Sequence, residues 1–196
     1  MLVRSELNTK SWYKISSFNE NTSSPERVIT SDLFYQCSML KIVSPKLLHE
    51  LSQNAINSPR KRMNHNFHDD LADPINRMLN ALEPGTYLQP HKHENPDKRE
   101  VFIVLRGSLV VVFFDGAGTP TEFVLLDALK GNHAVEIPVG AWHTVIALEP
   151  GSVVYEVKDG PYQPLADKNF AAWAPKEGDS GCEKYLKQLT ELYYQR

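Results

Sequence analysis

After Glu83 the chain becomes a series of short apolar runs rich in Val, Ile and Phe. Groups of Gly, Pro, Asn and Asp separate these runs at intervals of about 8 to 12 residues, a spacing that predicts a β-sandwich or β-barrel. The run LVVVFF (residues 109–114) is apolar at odd and even positions alike, which indicates a strand covered on both faces. No helix-length pattern separates the runs, and this disfavours a βαβ fold.

Helical patterns flank this β region. Residues 44–60 begin with Ser44 and Pro45, a suitable N-cap and first helical residue, and continue with apolar residues at helical spacing. The segment DDLADPINRMLNAL (69–82) predicts a second short helix, and the last residues, 179–196, predict a terminal amphipathic helix.

We therefore divide the chain into four parts. Residues 1–30 are a polar extension, loosely attached or adding an edge strand through SWYKI or ERVIT. Residues 31–82 form a helical lead-in with a polar, basic loop, residues 83–165 form the β-barrel, and residues 166–196 form a C-terminal segment and helix.

Composition narrows the class of protein. The 196 residues carry a net charge of −3, which excludes a protein devoted to nucleic acid, because such proteins need a clustered excess of positive charge. Two distant cysteines, Cys37 and Cys182, exclude a disulfide scaffold. No apolar run reaches the roughly 20 residues that a bilayer requires, and the N-terminus lacks the apolar core of a secretion signal. We expect a soluble, cytoplasmic protein with no membrane contact.

The sequence PHKH at residues 90–93 is the main chemical signal. Because side chains alternate along a strand, His91 and His93 project from the same face, about 6 to 7 Å apart. Glu100 follows a loop that can form a hairpin and return its carboxylate to the histidines, and His143 follows a Pro/Gly turn. Glu94, the competing carboxylate, points to the opposite face. Three imidazoles and a carboxylate suit one divalent ion such as Fe, Zn, Mn, Ni or Cu.

Glycines at fixed distances surround these residues. Gly85 and Gly107 flank the first group, and Pro138-x-Gly140-x-x-His143 forms the second. The two groups resemble the two motifs of the cupin superfamily. The sequence departs from those motifs in three places. Six residues separate His93 from Glu100, where the motif has three or four. Gly131 lies one residue farther from Pro138 than the motif has it, and Ala147 stands where the motif ends in Asn.

Longer blocks resemble the WbuC family of cupin-fold metalloproteins over residues 29–177. They are SPRKRMNHNFH (58–68), NALEPGTYLQPHKHENPDKREVFIVLRGSL (80–109) and AVEIPVGAWHTVIALEPGSVVYEVKDGPYQPLADKNFAAWAP (134–175). The resemblance implies a mainly β, cupin-type double-stranded β-helix or jelly-roll barrel with one metal, here with short N-terminal helices and a C-terminal helix. It also implies a gene among those for bacterial surface polysaccharide (O-antigen), and it implies no particular reaction.

Other polar residues are candidates for contact with a ligand. Tyr87 and Gln89 share the face of the histidines by alternation, so Gln89 either orients a ligand, braces a metal ligand or only fills the barrel. In SPRKRMNHNFHDD (58–70), Arg60 and Arg62 suit phosphate groups, and Asn64 and His65 can close the barrel mouth. The alternative for that stretch is a solvated basic loop.

Three functions are open at this point. The first is an isomerase or epimerase for a sugar or nucleotide-sugar, with the metal as Lewis acid and His65, Tyr87 or Glu100 as the base. The second is an Fe(II)-dependent oxygenase. The third is a non-catalytic sugar-binding or regulatory cupin with a structural metal. A homodimer is expected by analogy with related barrels.

Overall fold

The computed structural model describes residues 40–162 and 168–196. The extension predicted at residues 1–30, with its edge strands, lies outside the described residues. The fold below belongs to one compact unit, Lys41–Arg196.

Two helices and ten strands are found within the described residues. Helix α1 is Pro45–Asn57 and helix α2 is Cys182–Tyr194. Strands β1 to β10 are, in chain order, Arg62–Asn66, Ile75–Leu82, His91–Lys92, Glu100–Arg106, Ser108–Phe114, Pro120–Asp127, Ala134–Ile137, Trp142–Ala147, Ser152–Asp159 and Asn169–Phe170.

The strands form two five-stranded sheets, in the orders β1-β2-β9-β4-β7 and β10-β3-β8-β5-β6. Every pairing of neighbouring strands within them is antiparallel. The fold is thus a mainly β, cupin-type jelly roll, as predicted, with one helix before it, where short helices are predicted, and one helix after it.

The main core lies between the two sheets, where Leu82, Val104, Leu109, Val111 and Val154 are buried together. Strand β5 is covered on both faces, as its sequence predicts. Its alternate residues pack beneath helix α2.

Helix α1 begins as expected, because the Ser44 Oγ accepts a hydrogen bond from the Leu47 amide at 3.2 Å. Its apolar face, with Leu51 and Ala55, packs on the outside of the first sheet against Leu79 and Val153. The helix therefore covers one face of β2 and β9 and leaves the other face to the interior.

The helix predicted at residues 69–82 is wrong. Residues Ile75–Leu82 form strand β2, which is hydrogen-bonded on both edges. Its apolar residues match helical spacing because the strand contacts two layers: Leu79 and Ala81 pack with helix α1, while Leu82 packs in the main core. Strand β1 lies in the expected basic loop, so barrel strands begin before residue 83.

No helix within residues 40–162 and 168–196 has both the length and the apolar character needed to cross a bilayer.

Candidate metal centre

Three strands and one loop bring four residues together at one end of the barrel. His91 begins β3, His93 follows that strand, Glu100 begins β4 and His143 lies in β8. His91 and His143 are paired directly across β3 and β8. The nearby turn contains Gly140, which has a φ of +71° and donates its amide to the His93 carbonyl at 3.1 Å. Glycine adopts this left-handed conformation without strain.

The four side chains form one buried cluster. One ligand atom from each of His91, His93, Glu100 and His143 lies within 4.8 Å of the others, and all four residues are buried. Glu100 Oε2 is 3.2 Å from His93 Nε2 and 3.1 Å from His143 Nε2. Two atoms bound to one metal at about 2.1 Å, at angles of 90° to 109°, lie about 3.0 to 3.4 Å apart. The two distances from Glu100 therefore suit adjacent ligands of one ion.

Hydrogen bonds to the backbone set the tautomers of two of these histidines. His91 Nδ1 lies 3.1 Å from the Gln89 carbonyl oxygen, and His143 Nδ1 lies 2.9 Å from the Ala141 carbonyl oxygen. Since a carbonyl oxygen only accepts, each Nδ1 is the protonated nitrogen and each Nε2 carries the lone pair. Metal-bound histidines are oriented in the same way by their second nitrogen.

His143 Nε2 provides the test of whether a metal fits. This buried atom has no hydrogen-bond partner among the described residues, although it lies 3.1 Å from Glu100 Oε2. Two lone pairs at this distance repel each other unless a proton or a cation lies beside both. The donor set therefore fits a divalent metal held by His91, His93, Glu100 and His143.

The electrostatics of the cluster keep its residues in metal-binding forms. Burial, assisted by the positive charge of Lys168, holds the pKa of His91 well below its usual value, so the imidazole stays neutral. Burial alone would raise the pKa of Glu100, but a proton shared with His143 or His93 outweighs burial and holds that pKa well below its usual range. On the same wall, burial and the charge of Glu100 raise the pKa of Glu156 to about 8.

The cluster opens on a cavity of about 650 Å³. His91, Glu100 and His143 line it on one side. Inward-facing polar side chains of β2 and β9 line another side: Asn76, Asn80, Glu156 and Lys158. A cavity that combines apolar walls, here with Phe102 and Val145, with a few convergent polar groups is the usual form of a ligand site.

The structure places Glu100, and not Glu94, beside the histidines. Glu94 is half exposed, and its carboxylate pairs with Lys92 at 2.6 Å. The long loop before Glu100 therefore does not move Glu100 away from the cluster. Gln89 also lies where alternation predicts, lining the cavity, and its side-chain nitrogen donates to the Ala171 carbonyl at 3.0 Å.

Arg60, Arg62 and Asn64 line the outer part of the cavity. The two arginines hold one carboxylate between them: Arg60 Nε and Arg62 Nη2 each lie 2.6 Å from an oxygen of Glu177. The Asn64 amide nitrogen donates to the Asn66 side chain at 2.9 Å. Their role in binding a ligand stays a prediction.

The structure does not bring His65 or Tyr87 to the cavity. The ring of His65 packs edge-on against Phe67, with centroids 5.0 Å apart, on the side of the sheet that faces helix α1. The hydroxyl of Tyr87 donates to the Pro175 carbonyl at 2.6 Å, and burial raises its pKa. The prediction that Tyr87 shares the face of the histidines is wrong, because it assumed strand alternation and residues 83–90 are not a regular strand.

Sequence reasoning missed the polar residues of β2 and β9. Asn76 and Asn80 were missed because residues 69–82 were predicted to be a helix, so strand alternation was not applied to them. Glu156 and Lys158 had a visible signal, because they occupy alternate positions of SVVYEVKD (152–159) and follow Val154 on the same face. Charged residues in register with a core residue indicate a polar interior.

Comparisons with known proteins give few specific matches. A family model described as a domain of unknown function (DUF6016) matches residues 43–126. No curated protein matches the chain significantly.

Solved structures with a similar fold include proteins of several bacteria. CapF, a capsular polysaccharide assembling protein from Staphylococcus aureus, is 24% identical; the match covers 55% of this chain and 28% of CapF, with a TM-score of 0.44. KdgF from a Halomonas species is 20% identical over 53% of this chain and 82% of KdgF, with a TM-score of 0.40. A cupin superfamily protein from Desulfitobacterium hafniense is 11% identical over 50% of this chain and 76% of its own, with a TM-score of 0.39. At such identities and TM-scores we take the function from this chain's own residues.

Proposed function

We propose that this protein is a metal-dependent isomerase or epimerase for a sugar or nucleotide-sugar in the synthesis of bacterial surface polysaccharide. The observation that carries the proposal is the opening of the buried His/Glu cluster onto the polar cavity of about 650 Å³. The resemblance of three sequence blocks to the WbuC family supports the place in O-antigen synthesis.

The open side of the cluster favours a catalytic metal over a structural one. Structural sites surround the ion with protein ligands, whereas catalytic sites leave a position for water or substrate. Here His91, Glu100 and His143 border the cavity, so a ligand there can reach an ion that they hold. A metal that only stabilised the barrel would need no such cavity.

A divalent metal held by the three histidines and Glu100 supplies Lewis-acid polarisation of a ligand carbonyl or hydroxyl. The chain must then hold and move a proton. Glu156 is placed to do so, because it lines the cavity and its Oε2 accepts a hydrogen bond from the Asn80 amide at 2.6 Å. That hydrogen bond fixes the orientation of the Glu156 carboxyl group. Its other oxygen, Oε1, lies 3.6 Å from Lys158 Nζ. Neither His65 nor Tyr87 lies where it could take this role.

The test combines elemental analysis with proton exchange. Wild-type protein, His91→Ala and the exposed control His49→Ala are purified, and their metal content is measured. Each is then incubated with a panel of nucleotide-sugars in heavy water and followed by NMR. We expect about one divalent ion per chain and exchange at a sugar carbon in the wild type and the control, and loss of both in His91→Ala. Removal of the metal from wild-type protein with a chelator, and its return, covers the case in which His91→Ala does not fold.

Three outcomes would overturn the proposal. Exchange that persists in metal-free protein would remove the metal from the reaction. Substrate-dependent oxygen uptake by iron-loaded protein, without exchange, would indicate the Fe(II) oxygenase. Metal-loaded protein that shows neither activity with the panel would indicate the non-catalytic cupin.

A further inference from the structure

Asn76 in strand β2 is unlike the other buried amides of the cavity. Its side chain is 1% exposed, and neither its nitrogen nor its oxygen has a hydrogen-bond partner among the described residues. By contrast, Asn80 donates to Glu156 and Gln89 donates to a backbone carbonyl. An unpaired buried amide is costly for the folded protein, so its presence needs an explanation outside folding.

The register of the sheet places Asn76 in one row with the metal cluster. Asn76 is paired with Lys158 across β2 and β9, and Lys158 is paired with Glu100 across β9 and β4. Directly paired residues of antiparallel strands share a face, and all three line the cavity. Since neighbouring strands are about 4.8 Å apart, the backbones of Asn76 and Glu100 lie about 10 Å apart. Lys158 occupies the middle of this row, so a ligand that contacts both Asn76 and Glu100 has to lie across it.

The charge along the cavity favours an anion. Four cationic side chains of the described residues line it, and three carboxylates oppose them: Arg60, Arg62, Lys158 and Lys168 against Glu100, Glu156 and Glu177. A bound divalent ion would add two further positive charges. Lys158 lies in the middle of the row, between Asn76 and Glu100.

We propose that Asn76 recognises the hydroxyl groups of an anionic sugar whose other end reaches the metal. An amide presents one donor and one acceptor side by side, which matches two adjacent hydroxyls or one hydroxyl that both donates and accepts. Lys158 and the other cavity cations attract the carboxylate or phosphate of the same ligand. The contact of the ligand with the metal rests on the proposed function, whereas recognition by Asn76 concerns binding alone.

The test measures binding without turnover. Glucuronate and glucose 6-phosphate represent the two kinds of anion, and glucose is the neutral reference. Zinc-loaded wild-type protein, Asn76→Ala, Asn76→Asp and the exposed control Asn54→Ala are titrated with each sugar by calorimetry, and their metal contents and Tm values are measured. We expect at least one anionic sugar to bind the wild type more tightly than glucose. Its affinity should fall at least tenfold in Asn76→Ala and Asn76→Asp, and stay within twofold in Asn54→Ala.

Stability distinguishes recognition from a structural role. Since the Asn76 side chain makes no hydrogen bond within the described residues, Asn76→Ala should keep its zinc and have a Tm equal to or above that of the wild type. A lower Tm together with unchanged affinity would show that Asn76 is structural and overturn the proposal. It would also be overturned if neither anionic sugar bound the wild type, or if glucose bound as tightly.

These outcomes are separate from those of the proposed function. Absence of proton exchange would leave the binding result with Asn76→Ala intact. Unchanged binding in Asn76→Ala would in turn leave exchange by the wild type intact.

Discussion

The interior of the barrel has a polar end and an apolar end, and single strands run from one to the other. Along β4 the inward residues are Glu100, Phe102 and Val104, and along β8 they are His143, Val145 and Ala147. The inward residues of strands β9 and β2 also change from polar to apolar, from Lys158 to Val154 in β9 and from Asn76 to Leu82 in β2.

The two ends therefore have different physical roles. At the apolar end, Leu109, Val111 and Leu126 are fully buried with no polar group to satisfy, and burial of apolar surface stabilises the fold there. At the polar end, buried charges and amides lower stability unless something pairs with them. The comparison teaches that the polar end is kept for what binds there, and that the apolar end compensates for its cost.

The largest effect on stability should come from the apolar end. Leu109→Ala removes a fully buried side chain and should lower the free energy of unfolding by about 2 to 5 kcal/mol, since it leaves a cavity. Urea denaturation measures the change, and metal content should stay at the wild-type level. Leu129, which is 93% exposed, supplies the matched control Leu129→Ala. Loss of metal in Leu109→Ala would show that the two ends are not independent.

Metal removal tests the polar end. At a free metal concentration about one hundred times the Kd, binding should add about 2.7 kcal/mol to the free energy of unfolding. A chelator should lower the Tm of wild-type protein accordingly, and returning the metal should restore it. His91→Ala should show no such rise with metal. An equal rise in that variant would mean that the stabilising ion binds elsewhere.

The smallest effect should come from the ion pair at the rim of the polar end. Arg99 Nε lies 2.8 Å from Asp159 Oδ2, and 69% of the Arg99 side chain is exposed. Its hydrogen bonds to the carboxylate lower the pKa of Asp159, so their contribution is present at neutral pH and is lost as the pH falls through that lowered pKa. Arg99→Ala should lower the free energy of unfolding only slightly at neutral pH and less in high salt, measured by urea denaturation. A cost above that of Leu109→Ala would reverse the ranking of the two ends.

Some of the site could be predicted because it depends on short distances along the chain. His91 and His93 share a face through the alternation of a single strand, and the turn containing Gly140 leads directly to His143. The helix over residues 45–57 was equally local, since Ser44 and Pro45 mark its start.

Other features were misjudged where local patterns are ambiguous, or were missed where partners are distant in the chain. The sequence INRMLNAL satisfies helical spacing and strand alternation equally, and only its pairing with β1 and β9 makes it a strand. Arg62 was interpreted as a phosphate ligand, which stays a prediction, and the structure adds a contact with Glu177, which lies 115 residues later in the chain. No local pattern shows that contact.

The sequence by itself determined the β class, a helix at either side and the residues that form the His/Glu cluster, because these follow from local spacing and from two short motifs. Only the tertiary structure decided that Asn76, Lys158 and Glu100 form one row, that a cavity lies beside the cluster, and that His65 and Tyr87 face elsewhere. The physical reason is register. Which residues meet across neighbouring strands depends on the pairing of segments distant in sequence, and a shift of one residue would turn each inward side chain outward.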